Sequence, residues 1–173
     1  LGSTIVALGN NYATTEADIV SMTTRLASTG EVVGLTESEM LAMATALSSV
    51  GIEAEAGGSA ISKLMKKIET ANATYESSIA LINKTGLSLR DLQLMQSNNS
   101  LGFKELAQEL GHTTKELNAA MKSVDDMNKY AEISGTSVEK FREAYGKSAV
   151  SGVAMFIDGL SDIDEKGGSA VET

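Results

Sequence analysis

One short pattern recurs along the sequence, and each copy carries the signals that begin a helix. A glycine is followed two residues later by serine or threonine, and four residues after that by an apolar residue. The pattern reads GLTESEM from Gly34, GLSLRDL from Gly86, GHTTKEL from Gly111 and GTSVEKF from Gly135. Glycine can adopt the left-handed conformation that ends one helix, and the hydroxyl that follows can cap the next. The pattern therefore predicts helices joined by short glycine turns.

The spacing of other polar residues agrees with these helix starts. Thr36 with Glu39, and Thr113 with Glu116, have the spacing of a capping box, in which the carboxylate reaches back to the cap residue. The 173-residue chain contains no proline, so no helix interior has to break at one.

Apolar residues recur at intervals of three and four, which is the period of a buried helix face. The stretch IVAL from Ile5 is ambiguous between helix and strand, and no other stretch reads as a strand. One stripe illustrates the period: Leu117, Met121, Val124, Met127 and Ala131. We predict an all-α fold, a multi-helix bundle of helix-turn-helix units with one longer central helix. About eight helices should be separated near residues 30–35, 51–55, 85–88, 111–113 and 134–137.

The longest helix is predicted from about residue 58 to residue 83. Its apolar residues recur every seven positions in two seams, a pattern found both in coiled coils and in ordinary amphipathic bundle helices. One seam contains Asn72 between Met65 and Ile79, and the other consists of Ile61, Ile68, Tyr75 and Ile82.

A run of small residues, SSVGIEAEAGGSAISKLMKKI from Ser48, precedes this helix. It lacks the spacing of a dinucleotide-binding or phosphate-binding glycine loop. Glu53 and Glu55 lie two residues apart, so on a helix they would not face each other as an acid–base pair. Small residues four apart let two helix backbones approach closely. We predict a structural helix joint formed by Gly51, Ala54, Gly57, Gly58 and Ser62, in which Gly57 or Gly58 packs against another helix and the face of Ala54, Gly58 and Ser62 is buried.

The composition argues against several kinds of site. There is no cysteine and a single histidine, His112, so we expect no metal site, no cofactor and no catalytic residues. A net charge of −9 is unfavourable for binding nucleic acid, which needs clustered basic residues. No apolar run approaches the roughly 20 residues of a membrane span. The basic cluster Lys63, Lys66 and Lys67 is expected to form a solvated helix face.

Two helix starts share more than the cap. Gly86, Ser88 and Leu92 match Gly135, Ser137 and Phe141 at an offset of 49 residues. The match is explained either by a duplication within the chain or by repeated use of the same capping signal.

Three stretches resemble the tail tape measure proteins of bacteriophages. The run from Ala46 to Ile68 is similar to the alanine- and glycine-rich signature of their core region. The preceding stretch from about Leu8 and the later one from Ile133 to Leu160, which contains FIDGL, resemble the blocks on either side. By this resemblance, residues 1–68 are a helical core region, residues 69–132 a helical insertion, and residues 133–173 a C-terminal helical block ending in a linker at about 162–168.

The resemblance implies a structural role. Tape measure proteins are long, mostly helical and lie in the tail lumen during assembly, where their length sets tail length. It implies production in the bacterial cytoplasm from a phage or prophage, and partners among other tail proteins (the tail tube and assembly chaperones) or the chain itself. The chain begins at Leu1 rather than methionine and ends in KGGSAVET. We therefore interpret it as a piece of a longer protein.

Two other functions are compatible with the sequence. The eight methionines suit a helical protein–protein binding module with adaptable apolar grooves. Alternatively, the chain is a non-catalytic part of a tail protein that bears a cell-wall hydrolase elsewhere.

Overall fold

The computed structural model describes the backbone of residues 2–171 and the side chains of residues 2–160 and 162. Within this part of the chain nine α-helices and no strand are found, so the predicted all-α fold is confirmed. The helices are α1 (Gly2–Asn11), α2 (Glu16–Val32), α3 (Glu37–Ser49), α4 (Ser59–Lys84), α5 (Leu89–Asn98), α6 (Ser100–Glu109), α7 (Thr114–Ile133), α8 (Val138–Lys147) and α9 (Ala149–Val171).

The five predicted breaks all lie between helices, and each contains a glycine with a positive φ angle. These glycines are Gly34, Gly51, Gly86, Gly111 and Gly135, with φ between 63° and 80°. No other described residue, glycine or not, has a positive φ. A side chain rarely adopts this conformation, and so the glycines end the helices as the sequence pattern predicts.

Both predicted capping boxes are present. The hydroxyl of Thr36 accepts a hydrogen bond from the N–H of Glu39, whose carboxylate accepts one from the N–H of Thr36 in return. Thr113 and Glu116 make the same pair of bonds at the start of α7. Each box supplies partners for backbone groups that the first turn of a helix leaves free.

The helices form two compact units. The first consists of Leu1–Lys67 together with Phe141–Thr173, and the second is the continuous stretch Ile68–Lys140. The predicted division into a core region, an insertion and a C-terminal block rests on resemblance to a protein family. The compact units do not test that resemblance, and the division stays a prediction.

The core of the first unit comes from both parts of the chain that form it. The hydroxyl of Tyr145 on α8 donates a hydrogen bond to the carbonyl of Met65 on α4, at 3.2 Å. Around these helices lie the fully buried side chains of Ile19, Met22, Leu26, Met65, Phe141 and Val153.

The core of the second unit is built from one continuous stretch of chain. Its buried cluster lies on the C-terminal half of α4 and on α5, α6 and α7, and consists of Leu81, Ile82, Leu92, Phe103, Ala107, Leu117, Ala120, Met121 and Val124. The hydroxyl of Ser123 is buried beside α4 and donates to the carbonyl of Ala71 at 3.1 Å.

Some local features differ from the sequence-based expectation. The ambiguous stretch at Ile5 is helical in α1. A break at Asn99 separates α5 from α6, because the Asn99 side chain accepts a bond from the N–H of Gly102 and caps a new helix. Another break, at Ser148, separates α8 from α9. Residues 162–168, where the sequence suggests a helix fraying into a linker, belong to α9, which continues to Val171.

Candidate functional site

The predicted helix joint begins where α3 ends. Val50 follows the helix, and Gly51 then takes a φ of 80°. This turn lets the N–H of Ile52 donate to the carbonyl of Leu47 at 3.1 Å, which gives one of the last free carbonyls of α3 a partner. Nothing lies within 4 Å of the position that a Gly51 side chain would occupy, so the glycine is required by its backbone angle.

A single π-helical turn, Ala54–Gly58, leads into α4. The N–H of Gly57 bonds to the carbonyl of Glu53 at 2.9 Å. A π-turn holds one more residue than an α-turn. The residues before the turn are therefore rotated about the helix axis relative to those that follow it in α4. The sequence predicts a helix beginning near Gly58 but gives no sign of this wider turn.

The start of α4 lies very close to α2, and Gly58 is the point of approach. Gly58 is buried. A Cβ atom added to it would lie 2.9 Å from the Cβ of Arg25 and 3.2 Å from the Sδ of Met22. The first of these is closer than real Cβ atoms approach, and the Cβ of Arg25 is fixed to its backbone. A residue larger than glycine at this position would force α2 and α4 apart.

Arg25 also forms polar contacts with the joint. Its carbonyl accepts a hydrogen bond from the hydroxyl of Ser62 at 3.3 Å. Its guanidinium lies 3.6 Å from the carboxylate of Glu55, with side chains that are 49% and 88% exposed. An ion pair this exposed contributes little to stability. The close backbone approach is the main structural feature of the joint.

The five predicted joint residues have different positions. Gly51 lies in the turn and Gly58 in the contact with α2. Gly57 faces the side chain of Ile52 within the joint itself rather than another helix. Ala54 and Ser62 are half-buried, whereas we expected their face to be buried. The physical reason is the π-turn, which changes the angular spacing between Ala54 and the residues of α4.

The partners on α2 were not predicted, although part of the signal is present. Met22 belongs to the apolar face that includes Ile19 and Leu26. Arg25 lies beside that face, three residues from Met22. Its contact with Gly58 depends on a tertiary approach that helical spacing cannot reveal.

The polar groups near the joint do not converge on one point. Glu53 and Glu55 are both exposed. No group of three or more side chains able to hold a metal ion occurs among the described residues. His112 lies elsewhere, at the start of α7, with its Nδ1 3.8 Å from the Glu116 carboxylate. In the same part of the chain, no helix combines the length and apolar character needed to cross a membrane.

An open groove of about 500 Å³ lies between α1 and the first turn of α3. The Thr36 hydroxyl on its wall already takes part in the capping box. The groove is lined by Thr4, Leu8, Thr36, Glu37, Ser38, Leu41 and Ala42. With one carboxylate and a few hydroxyls, this lining does not indicate a particular ligand.

Comparison with known proteins places this arrangement in a family. A family model described as phage-related minor tail protein matches residues 1–124, more than two thirds of the chain. The match includes α1 to α6 and therefore the whole joint between α2, the π-turn and α4. No curated protein and no solved structure matches the chain. From the extent of the family match, the chain belongs to the phage-related minor tail proteins.

Proposed function

We propose that the chain is a folded, helical part of a tail tape measure protein, with a structural role in tail assembly and in setting tail length. The observation that carries the proposal is the family match across residues 1–124. Inside that match lies the glycine- and alanine-rich run that resembles the tape measure core region. In the structure this run forms a close-packed joint, a feature that suits a structural protein.

The proposal includes no catalytic role. The residues of the candidate site are mainly glycine and alanine, and they support close helix packing rather than chemistry. The carboxylates of Glu39 and Glu116, whose pKa values are lowered by hydrogen bonds, serve as helix caps.

We place the protein in the tail lumen of the virion after synthesis in the bacterial cytoplasm. Its partners in this proposal are the tail tube, assembly chaperones or further copies of itself. The family match supports a tail component, and the identity of each partner is part of the proposal.

A second candidate, a helical binding module, needs a different surface from the one that the sequence suggested. A methionine-lined groove is not available, because none of the eight methionines is exposed. The observation that favours a binding module is the exposure of two other apolar side chains, Val32 at 67% and Leu101 at 66%.

The test is an in-frame deletion of the segment encoding these 173 residues in the phage or prophage that carries it, followed by electron microscopy of the tails. If the segment measures length as extended helix, tails shorten by about 1.5 Å per residue removed, which is roughly 260 Å. The control is Gly58→Leu, which disturbs the joint but keeps the number of residues, and should leave tail length unchanged. Tails of normal length after the deletion would rule out a measuring role.

A further inference from the structure

The helices after the joint repeat one plan. Helix α4 ends at Lys84 and α7 ends at Ile133, 49 residues later. Helices α5 (Leu89–Asn98) and α8 (Val138–Lys147) begin and end 49 residues apart, and so do the starts of α6 and α9. We infer that residues 65–109 and 114–158 are two copies of one three-helix unit, which we call the first and second copy. This inference goes beyond the proposed function and does not depend on it.

The turns between the long and short helices have the same geometry in both copies. Gly86 and Gly135 have φ angles of 68° and 63°. The hydroxyls of Ser88 and Ser137 then accept bonds from the backbone N–H three residues later, at 3.1 and 3.3 Å. These features alone are consistent with repeated use of one capping signal.

The equal length of the short helices α5 and α8 separates the two explanations, although the other two helix pairs differ in length. The same signal at Gly34 begins α3, which has 13 residues, and at Gly111 begins α7, which has 20 residues. A capping signal therefore does not determine the length of the helix that it begins. Only after Gly86 and Gly135 does a ten-residue helix end in a one-residue break and continue as another helix.

The buried positions of the first copy recur in the second, which has six further buried residues. Of the nine buried residues in the first copy, all except Met65 have a buried counterpart 49 residues later. The pairs are Ile68 with Leu117, Ala71 with Ala120, Ser78 with Met127, Leu81 with Tyr130, Ile82 with Ala131, Leu92 with Phe141, Phe103 with Gly152, and Ala107 with Phe156. Helical periodicity explains agreement within one helix, but the agreement continues through two breaks.

The long helices of the two copies meet at equivalent residues. The hydroxyls of Thr74 on α4 and Ser123 on α7 are 49 residues apart in sequence and hydrogen-bonded at 2.8 Å. In a twofold arrangement, equivalent residues meet each other only next to the axis. The Thr74–Ser123 contact, which lies within Ile68–Lys140, is what two equivalent long helices paired about such an axis would produce.

Each short helix contacts a long helix within its own compact unit. Gln96 in the first copy donates to the side-chain oxygen of Asn118 on α7, at 2.9 Å. Its counterpart in the second copy, Tyr145, donates to the carbonyl of Met65 on α4. Each contact is therefore made with the N-terminal part of the other copy's long helix.

At two corresponding positions the copies differ in sequence where their surroundings also differ. Ala149 and Val153, in the second copy, are buried in the compact unit formed by Leu1–Lys67 and Phe141–Thr173. Their counterparts on α6, Ser100 and Lys104, are exposed. The loss of identity thus accompanies the change from a buried to a solvated face.

The inference is tested in the full-length chain by exchanging residues 86–98 with residues 135–147. This variant keeps length and composition and puts each segment in the equivalent position. The control keeps residues 86–88 and 135–137 in place and exchanges residues 91–98 with residues 138–145, which rotates the apolar face by about 200° without moving either cap. Two further in-register variants repeat one segment at both positions. Circular dichroism gives the helix content and the melting temperature of each.

We expect at least one of the three in-register variants to melt cooperatively at least about 10 °C above the shifted control. If the two segments are copies of one unit, the in-register exchange places buried residues at buried positions, and the variant therefore keeps its fold. If none of the three melts above the control, the similarity lies in capping alone and the inference is overturned.

Discussion

The two compact units use glycine differently. In the unit formed by Leu1–Lys67 and Phe141–Thr173, two glycines, Gly34 and Gly51, lie in open turns with positive φ, and four are places where another side chain comes too close for a Cβ atom. One of the four, Gly57, faces Ile52 within the joint. Gly30 faces Met40, Gly58 faces Met22 and Arg25, and Gly152 faces Tyr145. In the unit Ile68–Lys140, Gly86, Gly111 and Gly135 lie in turns with positive φ and open space around them, and one glycine, Gly102, faces a side chain, that of its own helix cap Asn99.

This difference shows what stabilises each unit. The first unit brings helix backbones together, and additional volume should disrupt it. Both units also fill their interiors with large side chains, but in the second these are Leu92, Phe103 and Leu117 and no glycine marks a contact between helices, so loss of volume is the direct test there. Substitutions that add or remove volume therefore test the comparison directly.

The largest effect is expected from Leu92→Ala in the second unit. Leu92 is fully buried, and removing its side chain leaves a cavity that costs about 2–5 kcal/mol of unfolding free energy. Leu94→Ala, on the same helix, is the control because Leu94 is 50% exposed, and it should change the free energy by less than about 0.5 kcal/mol. Urea unfolding measures both. Equal losses would show that the cluster around Leu92 does not govern stability.

The next largest effect is expected from Gly58→Leu in the first unit. The added side chain collides with α2 at Arg25 and Met22, and overpacking of this kind costs about 1–3 kcal/mol. The matched control is Gly146→Leu, since Gly146 lies in α8 with nothing within 4 Å of the added atom. Thermal unfolding followed by circular dichroism compares the two. A Gly58→Leu variant as stable as the control, with fast amide exchange across the joint, would favour a flexible hinge instead.

A smaller effect is expected where glycine is needed only for its backbone conformation and not for lack of space. Gly86→Ala meets no neighbour, so its cost is the strain of a positive φ angle, about 1–2 kcal/mol. Gly86→Asn should cost less, because asparagine tolerates this conformation better. A Gly86→Ala variant as stable as the natural chain, measured by urea unfolding, would contradict this account.

The sequence predicts the turn glycines better than the contact glycines, for a physical reason. A turn glycine sits beside its own caps, as Gly34 precedes Thr36, and that relation is local. The close approach of Gly58 to Arg25 joins residues that are far apart in the chain, and nothing local reveals it. The break at Asn99 was not predicted, although it is local, because it lacks the glycine turn that marks the predicted breaks. Asn99 caps its helix with its own side chain.

The smallest predicted effect compares the two capping boxes. Glu39 accepts hydrogen bonds from the N–H and hydroxyl of Thr36 and a third from the Ser148 hydroxyl at 2.7 Å. Glu116 accepts the two corresponding bonds from Thr113, at 2.7 and 2.9 Å. In both residues the bond from the cap backbone N–H is the main cause of a pKa below the usual glutamate value, and Ser148 lowers the pKa of Glu39 further.

A lowered pKa in the folded state means that the carboxylate stabilises the fold above the unfolded glutamate pKa, near 4.5, and that this stabilisation is lost as pH falls through the folded value. Glu39→Gln should therefore lower the melting temperature more than Glu116→Gln at pH 7, because it also weakens the bond to Ser148, the residue that precedes α9. Below the folded pKa values, both variants should approach the natural chain. Ser148→Ala tests the hydrogen bond from Ser148 to Glu39 by itself. It should lower the melting temperature of the natural chain and of Glu116→Gln, but should change that of Glu39→Gln little. Equal melting temperatures for the two glutamine variants at pH 7 would show that Ser148 adds nothing to the cap of α3.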